Sequence, residues 1–178
     1  MLQKMVTFSS SDSMFNMKIG FSKDIHVTKA GVPLILCGVN IPSEFGLESH
    51  SDGDCATHAI VEAIFGALNI GDLGSHYPPS DPKYENVSSL IFLDDTRRIL
   101  DEMKYEIGNI DLFISCEKPK LKKFIPEMKS LVASHLKISE EKISIKAGTN
   151  EGIDAVGRGE AIEAYCVCLI EKILKNRT

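Results

Sequence analysis

The hydrophobic period of the chain changes at Asp54, and this change restricts the possible folds more than any other feature. Before Asp54, two apolar runs at 17–21 and 32–42 are rich in β-branched residues and bounded by Gly or Pro, which predicts strands. After it, apolar residues recur at helical spacing as far as Leu68, and many of them are alanine, which predicts a closely packed helix. A chain that alternates in this way folds into layers of helices against a sheet.

The remaining segments continue this alternation. The periodicity predicts helices at about 88–103 and 126–136, and strands at 110–116, 143–147 and 162–174. The segments 69–89 and 148–160 are rich in Gly, Pro or Ser and predict loops, the first of them long enough to be a lid or binding loop. We predict the α/β (α+β) class: a loose N-terminal extension at 1–16, then a single domain at 17–178 with a mixed β-sheet covered on one side by helices.

Composition excludes several classes of protein. The chain has 178 residues, ordinary hydrophobic content and a net charge of −5, which suits one globular domain and argues against a large nucleic-acid-binding face. The longest apolar runs are too short for a membrane span, and the N-terminus lacks the pattern of a targeting segment. Five cysteines without a C-x-x-C pair predict buried free thiols in a reducing compartment. We therefore expect a cytoplasmic protein with no nucleic-acid or membrane partner.

Metal-ligand chemistry is concentrated in the segment Asp24-Ile25-His26. Residues two apart on an extended strand point to the same side, and His58 in the first turns of the predicted helix supplies a third possible ligand. One carboxylate and two imidazoles suit zinc with one position left open, where a phosphate oxygen can bind. The alternative interpretation is two unrelated groups of surface residues, because D-x-H often occurs by accident.

Three further stretches could bind phosphate. His50 and Ser51 come just before the predicted helix N-terminus, where free N–H groups attract anions, although an ordinary N-cap explains them equally well. The stretch 117–123 holds four lysines, which form either a solvated basic turn or a loop around a nucleotide. The Gly-rich loop 148–160 either cradles a diphosphate, with Glu151 on a second oxygen-liking cation, or is a loose connection.

The order of these pieces resembles that of one known family. The stretches that carry the resemblance lie between Met17 and about Ile170: KIGFSKDIH, LCGVNIP, GLESHSDGDCATHA, GALNIGDLGSHYPPSDP, NIDLFISCEKPKL and IKAGTNEGIDAVGRGE. HSDGD followed by HA, then GDLG and GRGE, is a specific combination. On these motifs the chain resembles the 2-C-methyl-D-erythritol 2,4-cyclodiphosphate synthase family of the non-mevalonate isoprenoid pathway.

The resemblance implies an intramolecular phosphoryl transfer. The 2-phosphate of 4-diphosphocytidyl-2-C-methyl-D-erythritol 2-phosphate attacks the β-phosphate, CMP leaves and a cyclic diphosphate remains. The resemblance also implies a homotrimer with active sites between neighbouring subunits. A trimer would bury the outer face of the final strand, which is apolar on both alternating faces, including Val167 and Leu169.

The resemblance also assigns roles to individual residues. Asp24, His26 and His58 would hold Zn²⁺, Glu151 would hold Mg²⁺ or Mn²⁺ bridging the diphosphate, and His50 and Thr149 would stabilise the transition state. The remaining substrate-binding residues that it implies are Ile25, Ser51, Asp72, Leu73, Gly74, Tyr77, Pro78, Pro79, Ser80, Asp81, Cys116, Glu117, Lys118, Pro119, Lys120, Leu121, Lys122, Ala147, Gly148, Asn150, Ala155 and Arg158.

The chain departs from the family's motifs at three positions. Pro79 replaces a carboxylate, Gly148 replaces a threonine, and Ala155 replaces an aromatic residue that lines the family's central trimer cavity. Two alternatives to the synthase stay open, because these departures could abolish activity and because the same metal ligands could serve another reaction. One is a catalytically inactive nucleotide- or metal-binding homologue, and the other is a zinc-dependent phosphohydrolase on the same scaffold.

Overall fold

Seven strands and five α-helices follow each other in residues 16–173, the part of the chain that the computed structural model describes. The strands are β1 (Met17–Ala30), β2 (Leu34–Leu36), β3 (Val39–Ile41), β4 (Phe45–Leu47), β5 (Tyr105–Ser115), β6 (Ile143–Gly148) and β7 (Ala161–Lys172). The helices are α1 (Cys55–Leu68), α2 (Leu73–His76), α3 (Leu90–Met103), α4 (Ile125–Leu136) and α5 (Asp154–Gly157). The predicted extension at 1–16 lies outside the described residues except for Asn16, as does the predicted end of the last strand at 174.

Five of the strands form one mixed sheet in the order β4-β1-β7-β5-β6. Strands β5 and β6 are parallel, and the other neighbours are antiparallel. The predicted mixed sheet is therefore confirmed, and the chain has the single-domain α/β fold. Within the described residues, no helix is long and apolar enough to cross a membrane.

The helices pack on one face of this sheet. Helix α1 lies on β1 and β7, α3 packs on α1 and β5, and α4 packs on α3 and β6. Alternate residues of β7 are fully buried under this layer: Ile162, Ala164, Cys166, Cys168 and Ile170. The five cysteines are buried free thiols, as predicted.

The opposite face of the sheet is open in the single chain. Ile19 is 72% exposed, Phe21 is 65% exposed and Val167 is 45% exposed. One chain supplies a helical layer to one face only, so the burial of the outer face of β7 that was predicted for a trimer is not tested by the single chain. A row of apolar side chains remains on the other face.

Small residues let α1 lie directly on β1 and so set the position of the site. A Cβ at Gly20 would lie 1.8 Å from the backbone oxygen of Ala63 and 3.0 Å from the Cβ of Ala67. Two residues further along the strand, the hydroxyl of Ser22 donates a hydrogen bond to the carbonyl of Ala59 at 2.5 Å. The next residues on this face of the strand are Asp24 and His26. The same alternation that places Gly20 and Ser22 against α1 therefore places them beside its first turn.

The run 32–42 is a hairpin rather than the single strand predicted from its apolar residues. Strands β2 and β3 pair antiparallel, and Cys37 and Gly38 between them have positive φ angles of 50° and 77°. The buried carboxylate of Asp54 accepts both turn N–H groups, from Cys37 at 2.8 Å and from Gly38 at 2.7 Å. A continuous apolar run does not reveal a turn that is stabilised by a carboxylate 16 or 17 residues away.

The two predicted loops contain short helices. Segment 69–89 includes α2 and a 3-10 turn at Pro82–Tyr84, and segment 148–160 includes α5. Asp72 caps α2 by accepting the Ser75 N–H at 2.8 Å, and Asp81 caps the 3-10 turn by accepting the Lys83 N–H at 3.0 Å. Elements of three or four residues are too short to show a hydrophobic period.

Candidate active site

Three predicted ligands meet where β1 passes under the start of α1. One carboxylate oxygen of Asp24, Oδ2, lies 3.0 Å from Nε2 of His26 and 3.0 Å from Nδ1 of His58. One ligand atom from each residue lies within 4.8 Å of the others, which is close enough for a single ion to bind all three. The sequence prediction that these residues converge is confirmed, and they form a candidate metal-binding triad.

The second nitrogen of each imidazole has a different partner. Nδ1 of His26 lies 2.9 Å from the carbonyl oxygen of Glu48, and Nε2 of His58 lies 2.9 Å from Oγ of Ser89. Because a carbonyl only accepts, His26 Nδ1 must carry a proton, so Nε2, which faces Asp24, is the nitrogen that can bind a cation in place of its own proton. Metal-binding histidines are commonly held in this way.

Electrostatics at the triad favour a cation between its members. Burial opposes ionisation of Asp24, but the hydrogen bonds from His26 and His58 outweigh it and hold the pKa of this carboxyl well below its usual range. Burial also opposes protonation of His26, and the bond to Asp24 outweighs it, so the pKa of His26 is raised. The carboxylate thus stays charged, and two imidazole nitrogens and one carboxylate oxygen are a donor set that zinc accepts with a fourth position left open.

A cavity of about 270 Å³ opens over the triad, and we call it the metal cavity. The predicted residues that line it are Asp24, His26, His50, Ser51, His58, Leu73, Gly74, Tyr77 and Pro79. Four more lining residues were missed by sequence reasoning: Ser49, Glu62, Tyr84 and Phe92. Glu62 was detectable, because it follows His58 by one helical turn, and burial raises its pKa.

The predicted binding loop at 69–89 is only partly directed at this cavity. Tyr77 packs on the ring of Phe92 at 4.3 Å between centroids and donates its hydroxyl to Asp95 at 2.7 Å. Asp72 and Asp81 engage in the caps described above, and Pro78 and Ser80 lie in the turns between those caps. Ile25 points to the open face of the sheet, where it is 46% exposed.

The helix N-terminus beside His50 is an ordinary cap rather than a free anion site. The carboxylate of Asp54 accepts the Thr57 N–H at 2.9 Å and the Thr57 hydroxyl at 2.7 Å. Asp54 is fully buried, so it points into the protein and not toward the metal cavity. His50 and Ser51 can therefore contribute side chains to a ligand, while the Thr57 N–H in the first turn of α1 already has a partner in Asp54.

A second cavity of about 210 Å³, the lysine cavity, lies at the ends of β5 and β6. The predicted residues that line it are Cys116, Pro119, Lys120, Leu121, Lys122, Ala147, Gly148 and Thr149. Beside it, the Thr149 hydroxyl donates to the carboxylate of Glu151 at 2.7 Å. Burial raises the pKa of the Cys116 thiol to about 11, which disfavours the nucleophilic thiolate.

Other predicted residues lie next to the lysine cavity and form hydrogen bonds around it. The Glu117 carboxylate accepts the Asn150 N–H at 2.7 Å, and the Asn150 side chain also bonds to Ser115 and Asp154. These bonds tie the loop after β6 to the end of β5. Further along, Arg158 pairs with Glu160 at 2.9 Å, Ala155 lies within α5, and the Lys118 side chain is exposed.

Gly148, which the resemblance marks as a departure from the family's motifs, is closely approached by the side chain of Phe113. A Cβ at this position would lie 2.8 Å from Cζ of Phe113 and 3.2 Å from its Cε2. The Phe113 ring thus occupies the space that a larger residue would need. In this chain the position of the Phe113 ring is therefore compatible with glycine at 148, and a larger residue there would require the ring to move.

The two cavities are separate in one chain. The sheet register places Asp24 opposite Ala164, Ala164 opposite Ile114, and Ile114 opposite Ala147. Three steps between neighbouring strands correspond to about 14 Å. His50 on the metal cavity and Thr149 on the lysine cavity, which the sequence predicted to act together, are therefore not brought together within a single chain.

Comparison with known proteins identifies the family. The family model described as the YgbB family matches residues 17–171. This chain belongs to the YgbB family. Curated family members include the 2-C-methyl-D-erythritol 2,4-cyclodiphosphate synthases of Brachyspira hyodysenteriae, 46% identical over 88% of this chain and 99% of that protein, and of Nostoc punctiforme, 43% identical over 89% and 99%.

Solved structures of YgbB family members have the same fold. The CDP complex of IspF from Plasmodium falciparum is 32% identical with a TM-score of 0.79, and the match covers 90% of this chain and 99% of that chain. The bifunctional IspDF of Campylobacter jejuni is 34% identical with a TM-score of 0.86. This match covers 89% of the present chain and 43% of the bifunctional one.

Proposed function

We propose that this chain is a 2-C-methyl-D-erythritol 2,4-cyclodiphosphate synthase, a CMP-releasing phosphorus–oxygen lyase. Its substrate is 4-diphosphocytidyl-2-C-methyl-D-erythritol 2-phosphate, in which the 2-phosphate attacks the β-phosphate. The observation that carries the proposal is the convergence of Asp24, His26 and His58 in one cavity of a YgbB family chain. The curated relatives with 43–46% identity bear the name of this synthase.

Zn²⁺ is the cofactor that suits the triad, and bound there it would act as a Lewis acid on a phosphate oxygen. The chain's own groups do the rest. His50 and Ser51 lie on the same cavity wall as the triad, and their side chains can donate hydrogen bonds to a phosphate. Glu151 with the neighbouring Thr149 would hold Mg²⁺ or Mn²⁺ beside the diphosphate, because both cations prefer oxygen ligands.

The lysine cavity is proposed to hold the cytidine nucleotide. Lys120 and Lys122 line it and supply positive charge for the phosphates, while backbone groups near Pro119 and Ala147 face the base. A related protein with this fold has been solved as a CDP complex, which supports a cytidine nucleotide as ligand. An intramolecular transfer needs no protein nucleophile, in agreement with the neutral thiol of Cys116.

We propose a homotrimer with active sites between subunits. Two observations support it: the three strand spacings, about 14 Å, that separate Asp24 from Ala147 in one chain, and the exposed apolar row on β1. That row includes Ile19, Phe21 and Val27, which are 72%, 65% and 59% exposed. An apolar patch of this kind marks a protein interface. We further propose that the enzyme acts in the cytoplasm, without nucleic-acid or membrane partners.

One assay tests the proposed reaction. The purified chain is incubated with the diphosphocytidyl substrate and Mg²⁺, with and without a zinc chelator, while CMP and the phosphorus NMR spectrum are followed. We expect CMP together with the resonances of a cyclic diphosphate, loss of both with the chelator, and recovery on adding zinc. Release of inorganic phosphate would indicate a phosphohydrolase, and a folded, zinc-loaded chain that forms no CMP would indicate a binding homologue.

A further inference from the structure

We propose that Asp52 and Ser89 form a relay that positions His58 for metal binding. This inference rests on the proposed function, because it assumes that the triad holds a metal. Nε2 of His58, the nitrogen that faces away from Asp24, lies 2.9 Å from Oγ of Ser89. The Ser89 hydroxyl lies 2.5 Å from Oδ1 of Asp52, and the Ser89 N–H donates to Oδ2 of Asp52 at 2.8 Å.

The direction of these bonds fixes the proton on the imidazole. A serine hydroxyl has one proton, and the carboxylate of Asp52 can only accept it. Oγ of Ser89 therefore presents a lone pair to His58, so that Nε2 of His58 must carry a proton and donate it. Nδ1 of His58 donates its own proton to Asp24 in the metal-free chain; when a cation takes the place of that proton, the ring keeps only the Nε2 proton and the Nδ1 lone pair faces the cation.

Burial makes the relay selective. Ser89 is fully buried and His58 is 6% exposed, so water is largely excluded as a competing partner for Nε2. Ser51 also approaches Nε2, but its Oγ is 3.3 Å away and it lines the open metal cavity. Ser89 is therefore the principal partner of this nitrogen.

The position of Ser89 on its own helix supports a role outside that helix. Ser89 occupies the N-cap of α3, where a serine side chain usually accepts a hydrogen bond from the first turn. Its side chain makes no such bond and turns instead to Asp52 and His58. The side chain thus forgoes the usual cap interaction in favour of the metal site.

The relay also ties the metal ligand to the loop that carries the proposed phosphate-binding residues. The carbonyl of His50 accepts the Asn86 N–H at 2.9 Å, and the Asp52 N–H donates to the carbonyl of Val87 at 3.2 Å. With Asp52 and Ser89 these bonds join the segments 50–52 and 86–89. His50, Ser51 and His58 are consequently held by one connected set of bonds.

The test compares Ser89→Ala with the neighbouring change Ser88→Ala. Ser88 is exposed and its hydroxyl accepts only a weak bond from the Leu90 N–H at 3.4 Å, so it serves as the matched control. Zn²⁺ affinity is measured by competition with a chromogenic chelator. We expect about 10- to 100-fold weaker binding for Ser89→Ala and wild-type binding for Ser88→Ala. CMP release by Ser89→Ala should recover when zinc is added to saturation, since the groups that contact substrate are unchanged.

Zinc binding and CMP release, measured for the wild type and the variant, distinguish a failure of the relay from a failure of the proposed function. If the wild-type chain binds no zinc and forms no CMP, the proposed function itself fails. If the wild type does both and Ser89→Ala binds zinc equally well, the relay alone is wrong. Should Ser89→Ala fail to fold, Asp52→Asn removes the carboxylate that orients the Ser89 hydroxyl without adding a zinc ligand, and we expect a several-fold loss of zinc affinity. Nitrogen NMR of His58 in the metal-free chain provides the second readout: the Nε2 proton should persist in the wild type, and its persistence unchanged in the metal-free variant would also overturn the relay.

Discussion

The metal cavity and the lysine cavity are built in different ways. The metal ligands stand on β1 and α1, two regular elements fixed to each other at Gly20 and Ser22, and each imidazole has a partner behind it. The lysine cavity stands on the segments that follow β5 and β6, and its lysine side chains are exposed. A single chain therefore holds the metal ligands from behind, whereas the lysine cavity presents its lysines on the surface.

The largest effect is expected for His58→Ala, which removes one of three metal ligands. We expect zinc binding to be lost and CMP release to fall at least about a thousandfold, because a metal contributes several kcal/mol to stabilising the transition state. The lysine cavity should retain its affinity for CDP. His135→Ala is the control, since this histidine pairs with Asp94 on the surface at 2.9 Å. Undiminished turnover by His58→Ala would contradict the zinc assignment.

The next effect concerns the packing that holds the metal side together. Gly20→Ala places a methyl group against the backbone of Ala63, so α1 must move away from β1. We expect a loss of about 3 kcal/mol in the free energy of unfolding, together with weaker zinc binding. Chemical denaturation measures the first and chelator competition the second.

The control for this change lies on the same helix. Gly66 of α1 is exposed and has open space around its Cβ position, so Gly66→Ala should stabilise the chain by about 0.5–1 kcal/mol. If both glycine variants changed stability to the same extent, close approach of α1 to β1 would not be what positions the site.

A smaller effect is expected on the nucleotide side at Gly148. Introducing the threonine that the resemblance implies there should destabilise the chain by about 1 kcal/mol at most, because the new side chain meets the ring of Phe113, which is 37% exposed and can turn toward solvent. Adding Phe113→Val should recover most of that loss, which a double-mutant cycle on denaturation measures. Zinc affinity should stay unchanged throughout. A Gly148→Thr chain as stable as the wild type would remove this explanation of the departure.

The smallest effect is expected for Lys120→Ala and Lys122→Ala. Both side chains are exposed at the rim of the lysine cavity, where water and salt screen their charge. We expect CDP binding, measured by calorimetry, to weaken several-fold for each, which corresponds to about 1 kcal/mol, and the loss to shrink as salt is added. Affinities that do not respond to either change would place the nucleotide elsewhere.

The same contrast explains what the sequence revealed and what it did not. Asp24 and His26 were predictable because residues two apart on a strand share a face, and His58 because it lies in the first turns of a clear helix. Ser89 was not predictable, since it meets His58 across 31 residues and a segment without periodicity. The turn at Cys37, the partnership of Gly148 with Phe113 and the order of the strands also depend on long-range contacts that no local pattern records.

The distribution of the two cavities over subunits can be tested by mixing two inactive chains. His58→Ala lacks a metal ligand, and Glu151→Gln lacks the proposed ligand of the second cation. The two are unfolded together and refolded, and CMP release is measured. In randomly assembled trimers about a quarter of the sites would combine an intact metal cavity of one subunit with an intact lysine cavity of its neighbour. We predict that the mixture recovers about that fraction of wild-type activity, whereas a mixture as inactive as its components would contradict a site shared between subunits.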